Sequence, residues 1–256
     1  MKNRALAFIA LSLVFIECKT KPADNTLIKA LALDRVRVAD NFWAPRLETN
    51  RLVTIPHCFN KIRESGTIDN FTKAAHLIDG PHLGRSSSDA ELYKTMEGAY
   101  YTQLLYHSTD FGSMLDSLCI LIAEAQEEDG YLFTARTIDP TSAGSVIGPK
   151  RWSALYSSHE LYNAGHLYEA AVAASLAGRN DLLLDVAKKN ADLLERTFGS
   201  NKLYGIPGHQ EVELGLIRLY RLTGEERYLR LAEFFLHARG QGKSPIPSDS
   251  LPYYQY

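Results

Sequence analysis

The 256-residue chain has little cysteine, three residues in all, and no CxxC pair of the kind that marks redox or zinc motifs. It also lacks a charge bias. Lys and Arg total 28 against 30 Asp and Glu, and no long basic run is present to neutralise a nucleic-acid backbone, so nucleic-acid partners are set aside. With 17 Gly and 10 Pro and no low-complexity segment, a fibrous or disordered chain is excluded. No GxSxG elbow and no phosphate-binding loop occur. A helical HExxH zinc site is missing too, because Asn163 stands four residues after His159 and His166 falls seven residues on, about 10 Å along a helix. His166 is therefore expected to face the core or a neighbouring helix.

What is present begins with an export-type segment: Lys2 and Arg4, an apolar run over residues 5–16, then Cys18. The run is shorter than the ~20 residues that span a bilayer. Residues 1–18 read as a signal peptide, of the lipoprotein type with Cys18 as the lipid-bearing residue or of the ordinary secretory type, residues 19–30 as a tether, and residues 31–256 as the folded domain. That places the protein outside the cytoplasm of a bacterium, in the periplasm or as an outer-membrane lipoprotein, with any membrane contact made through the lipid. Of the remaining cysteines, Cys119 lies on an apolar helix face, and Cys58 and Cys119 are expected as two buried thiols rather than a disulfide.

The segment 31–43 alternates in character and predicts a short strand; from residue 44 onward the pattern is helical. Three stripes follow the i, i+3, i+4 spacing: Leu115, Leu118, Cys119, Ile122, Ala123; Leu183, Val186, Ala187, Ala191, Leu194; and Tyr228, Leu231, Ala232, Phe235, Leu236. Each is the second helix of a pair whose first members cover 89–107, 158–177 and 210–223. Aligning Gly178 with Gly224 exposes an internal repeat of helical hairpins. The long connections, 130–152 and 199–208, fall at one stage of the repeat and belong on one face of the array, where function concentrates.

Three polar clusters open the first helices: SDAELYK (88–94), SSHELYNAGH (157–166) and PGHQEVE (207–213). Ser88 with Glu91 and Ser157 with Glu160 fit the capping box, worth about 1 kcal/mol each. A first-turn histidine has no such excuse, since the helix dipole disfavours its protonated form there. His159 and His209 occupy that place in successive repeats and are candidates to hydrogen-bond substrate hydroxyls as neutral imidazoles. Glu91, Glu97, Glu160, Glu211 and Glu213 could supply the paired carboxylates of a glycosidase, but spacing does not select two of them.

The blocks NFWAPRLETNRLVTIP (41–56), GTIDNFTKAA (66–75), ELYKTMEGAYY (91–101), AQEEDGYLFT (125–134), SHELYNAGHLYEAAVA (158–173) and GHQEVELGLIRLYRLTGEERYL (208–229) resemble, in order, glycoside hydrolase family 127, the β-L-arabinofuranosidase-like proteins. The resemblance implies an all-α (α/α)6 toroid, of which this chain holds about three of six hairpins. It implies retaining removal of terminal β-L-arabinofuranosyl units from a carbohydrate partner, with a zinc-bound cysteine thiolate as nucleophile and a glutamate as acid/base. His159 and His209 match positions that look toward the sugar, and Glu91, where the family more often has Asp, marks a possible rim position. The family's acid/base glutamate and cysteine cluster have no counterpart here, so no catalytic residue and no zinc are expected in this chain, which reads as a truncated N-terminal part that need not be active alone. Two alternatives stay open: a helical-repeat protein-interaction module, or another six-hairpin glycosidase.

Overall fold

The computed structural model describes residues 31–141, 146–179 and 181–243. The expected signal peptide, Cys18 and the tether of residues 19–30 lie outside them. The architecture below is that of the body formed from Leu33 onward.

A 3-10 turn at Leu33–Arg35 precedes α1 (Trp43–Thr49), which runs through a π-type turn (Asn50–Thr54) into α2 (Ile55–Glu64). The expected strand at 31–43 does not form, and no strand occurs among the described residues. Alternation alone was insufficient, because an extended segment needs a partner for its peptide groups and none is at hand. Asp40 instead accepts from the amides of Phe42 and Trp43 and starts α1. Next come α3 (Thr67–Ala74), α4 (Ser88–Tyr106), α5 (Gly112–Ala125), the short α6 (Thr134–Ile138), α7 (Glu160–Leu176), α8 (Leu182–Thr197), α9 (Glu211–Thr223) and α10 (Glu226–Ala238).

These helices form two layers. In one, α2 packs on α4, α4 on α7 and α7 on α9; in the other, α3 packs on α5, α5 on α8 and α8 on α10. The three expected hairpins are α4/α5, α7/α8 and α9/α10, and a shorter pair, α2/α3, precedes them in the same layers. The outer stripes are buried as their spacing requires: Leu115, Ile122, Leu183, Ala187, Leu194, Tyr228 and Phe235 are each fully inaccessible. Two stripe members depart from this, Leu236, which is 52% exposed, and Ala123, which is half-buried. Helix α7 is wrapped on three sides by α4, α8 and α9, and so its Ala170, Ala171, Ala173 and Ala174 are all buried.

Glycine sets two features of this packing. Gly178 and Gly224, the repeat partners, follow α7 and α9 with φ of +65° and +75°, the left-handed conformation that closes a helix. Gly165 and Gly215 let α7 and α9 touch backbone to backbone: a Cβ at Gly215 would stand 2.6 Å from the Gly165 carbonyl oxygen. Larger residues would push these helix starts apart. Cys119 is buried as expected, whereas Cys58 is only half-buried; both are free thiols.

Candidate sugar-binding mouth

The inner helices α4, α7 and α9 begin at one end of the body. Asn163, in the first turn of α7, accepts from the Ala90 amide and donates to the Ser86 carbonyl, at 3.2 and 2.9 Å, which locks the start of α7 to that of α4. His159 and His209 then meet: their rings stack 5.4 Å apart, with Tyr162 edge-on to the first and tilted against the second. His159 Nδ1 lies 3.4 Å from Ser86 Oγ. Burial, opposed by a backbone hydrogen bond with Ser157 and aided by His209 and Lys94, holds His159 below its ordinary pKa.

A row of polar side chains descends from this pair along the inner layer. Lys94 bonds the Tyr162 hydroxyl, Tyr162 packs edge-on against His166 at 4.6 Å, and His166 Nδ1 approaches Glu211 Oε1 to 3.0 Å. His166 is thus interhelical, as its position predicts. Burial and the charge of Lys94 push it down to about 4, while burial and the carboxylates of Glu169 and Glu97 push Glu211 up to about 7. Their contact at neutral pH therefore joins a neutral imidazole to a carboxyl that is partly protonated. Further along the row, the exposed Arg218 reaches Glu169 at 3.4 Å and the Tyr101 hydroxyl at 3.3 Å, and burial with Glu169 raises Glu97 to about 7. Carboxyls poised near pH 7 can both donate to and accept from a sugar hydroxyl.

The expected capping boxes are absent. Neither N-cap residue, Ser87 or His159, makes a side-chain cap bond; Ser88 Oγ accepts from the Arg85 amide, Ser157 Oγ donates to the Val146 carbonyl, and the first-turn amides of Ala90 and Glu160 donate instead to Asn163 Oδ1 and Ser158 Oγ. Glu160 turns inward instead, and is 2% exposed. It accepts from the Tyr131 hydroxyl at 2.6 Å, the Ser158 hydroxyl at 2.9 Å and the Trp152 amide at 3.3 Å. Burial raises its pKa, and the Tyr131 and Ser158 bonds oppose that rise. Asp89 does the same for α4, accepting from the amide and hydroxyl of Thr134, with burial pushing it up to about 6. In α9 the counterpart is Glu213, which pairs with the equally buried Arg239 at 3.3 Å, and Arg239 also donates to the Pro207 carbonyl. Helices α4, α7 and α9 therefore each carry one buried carboxylate in the first turn, which ties down a connecting segment directly or, for Glu213, through Arg239.

One consequence is local strain. His159, wedged between Ser158 and Glu160, has φ of +64°, a conformation that costs a non-glycine residue about 1–3 kcal/mol and is kept where surroundings enforce it. Glu91, by contrast, is exposed on α4 and joins none of these contacts. Sequence reasoning missed Asp89, Tyr131 and Tyr162, and named Glu213 only as one of five carboxylates that spacing could not sort. The available signal was an acidic residue recurring in the first turns of α4, α7 and α9.

The β-L-arabinofuranosidase, GH127 catalytic domain family matches residues 35–255. The chain belongs to that family. A non-reducing end β-L-arabinofuranosidase of Bifidobacterium longum subsp. longum is 38% identical over 180 residues, 70% of this chain and 27% of the relative. A solved GH127 β-arabinofuranosidase aligns with a TM-score of 0.77 at 44% identity, over 82% of this chain and 34% of that one. A GH127 β-L-arabinofuranosidase from Geobacillus stearothermophilus T6 also aligns at 0.77, with 33% identity, 84% of this chain and 34% of the other. The chain thus spans about a quarter to a third of the length of these relatives, and its hairpins are those of an incomplete (α/α)6 toroid.

Among the described residues no three His, Cys, Asp or Glu side chains form a group that could hold a metal ion. Cys119 is held in the core with its Sγ 3.1 Å from the Tyr100 hydroxyl, and burial raises its thiol pKa, the reverse of what a nucleophilic thiolate needs.

Proposed function

We propose that the protein is a glycoside hydrolase of the GH127 type that acts on β-L-arabinofuranosyl glycans, and that this chain supplies the wall receiving the terminal sugar. The observation that carries the reading is the stacked His159–His209 pair above Tyr162 at the common end of α4, α7 and α9. A furanose ring laid on this platform meets imidazole nitrogens that exchange hydrogen bonds with its hydroxyls, and an aromatic edge for its C–H face. Glu211 and Glu97, poised near neutrality, hold or release a proton at a hydroxyl that reaches further in. The chain orients the sugar, and no bond-breaking step is assigned to its described residues.

Calorimetric titration with L-arabinose tests this. His159→Ala and His209→Ala should each weaken binding roughly tenfold, about the loss of one good hydrogen bond. Unchanged affinity in both variants overturns the assignment. A helical-repeat interaction module would bind no sugar at all.

We also propose export, with Cys18 as a lipid attachment site, supported by the Lys2/Arg4 start and the apolar run before Cys18. Expressed in a bacterium, the chain should fractionate with membranes and Cys18→Ser should not. Equal partitioning of the two removes the anchor.

A further inference from the structure

His209 has an exposed side chain, and its ring meets the rings of His159 and Tyr162 at 5.4 and 5.1 Å. Ring contacts of this kind are individually weak. The place of the imidazole therefore follows from where the backbone carries it.

That backbone is pinned on either side of His209. At Gly208 the amide donates to the Leu155 carbonyl at 3.3 Å, and a Cβ would stand 3.1 Å from the Tyr156 carbonyl carbon and closer still to its oxygen. At Glu211, the first residue of α9, the chain lies on Gly165 of α7, where a Cβ would stand 2.6 Å from the Glu211 carbonyl oxygen. Positions 208 and 211 thus rest on positions 156 and 165, and His159 lies between the latter two. The two histidines share one base.

Gly208 is not required for its backbone freedom. Its φ lies outside the left-handed region, so alanine could adopt it, and what excludes a side chain is the Tyr156 carbonyl. A main-chain carbonyl cannot turn aside, so a Cβ at 208 must push the two segments apart. At Gly205, by contrast, the nearest atom is Leu155 Cδ1 at 2.7 Å, the end of a side chain that can change rotamer.

We propose that Gly208 is a positioning residue of the sugar platform: by letting the segment before α9 lie directly on the turn before α7, it sets the stack of His209 on His159. The inference rests on the reading of that pair as the terminal-sugar site and extends it to a residue that acts through His209.

Calorimetric titration with L-arabinose and proton NMR of the histidine rings, both on the full chain, test it. Gly208→Ala should weaken L-arabinose binding roughly tenfold, as His209→Ala does, and adding His209→Ala to Gly208→Ala should cost less than about a further twofold. Gly205→Ala and Gly98→Ala, the latter with no atom within 4 Å of its added Cβ, should each stay within about twofold of the unaltered chain. In the unaltered chain, removal of the His209 ring should shift the His159 ring resonances. In Gly208→Ala those resonances should already be displaced and should not move when His209 is then removed, a response that a residue merely supporting the fold would leave intact. Circular dichroism reports whether each variant folds. If Gly208→Ala does not, a glycine inserted between positions 208 and 209, which keeps the close approach and shifts the histidine, should show the same tenfold loss and the same silent response. Unchanged affinity in the variant that folds, or His159 resonances that still answer to His209→Ala within it, overturns the positioning role. The ring resonances are read without sugar, so failure of L-arabinose to bind the unaltered chain overturns the terminal-sugar reading alone, and the resonances still decide the role of Gly208.

Discussion

The two layers of this body differ in how they are made. In the outer helices α5, α8 and α10 a single apolar stripe faces inward and nearly every member of it is buried. In the inner helices the burial is mixed: Asp89, Asn163, Glu160 and Glu213 are as inaccessible as the leucines beside them. The outer layer is held by area, at about 25 cal/mol per Å² removed from water. The inner layer also depends on pairwise polar partners, each of which is costly to leave unmatched. Area tolerates exchange of one aliphatic residue for another. Polar pairing does not, and the inner layer is where the histidines are aimed.

Breaking the outer layer should have the largest effect. Phe235→Ala removes a fully buried ring packed on Phe198 and Phe234, and should cost about 3–5 kcal/mol in urea denaturation. Its neighbour Leu236→Ala, on the exposed side, should stay within about 0.5 kcal/mol. Comparable losses at both positions would mean that α10 does not present the face described.

A smaller stability loss but a sharper functional one is expected in the inner layer. Glu160→Ala strands the Tyr131 and Ser158 hydroxyls and the Trp152 amide, costing about 1–3 kcal/mol, and frees the turn that aims His159. L-arabinose affinity should fall in chains that remain folded, and Glu160→Gln should recover most of it. If affinity survives Glu160→Ala, the turn is held by something other than this carboxylate.

The smallest effect is a slope. Glu97 is raised from 4.5 to about 7, first by burial and then by Glu169, so the native state holds that proton more firmly than the unfolded chain does. Its stabilising contribution is complete below about pH 4.5 and is lost as pH climbs through 7. Glu97→Gln, which cannot ionise, should gain on the unaltered chain across that window, read as urea midpoints at a series of pH values. Parallel pH profiles would show that the inner row does not perturb Glu97.

The outer layer was legible in the sequence because a helix stripe is a local property. Leu183, Val186, Ala187, Ala191 and Leu194 announce their face by spacing alone, and only Leu236, at the edge of its stripe, points away from the core. His159 and His209 were also singled out from sequence, by the mismatch between a histidine and the positive end of a helix, and the structure brings their rings together. The capping boxes show the opposite case. Ser157 and Glu160 have the right spacing, yet Glu160 is taken by Tyr131, 29 residues earlier in the chain, and the local bond is never made.

The sequence by itself determined the hairpins, their repeat and the clustering of polar residues at one end, since each of these follows from periodicities of a few residues. Only the tertiary structure decided which carboxylates are buried, which segment each one holds, and that the rings of His159 and His209 stack. The physical reason is range. Asp89 finds its partner Thr134 across 45 residues, and a buried hydrogen bond depends on where the whole chain brings donor and acceptor together, which no local pattern records.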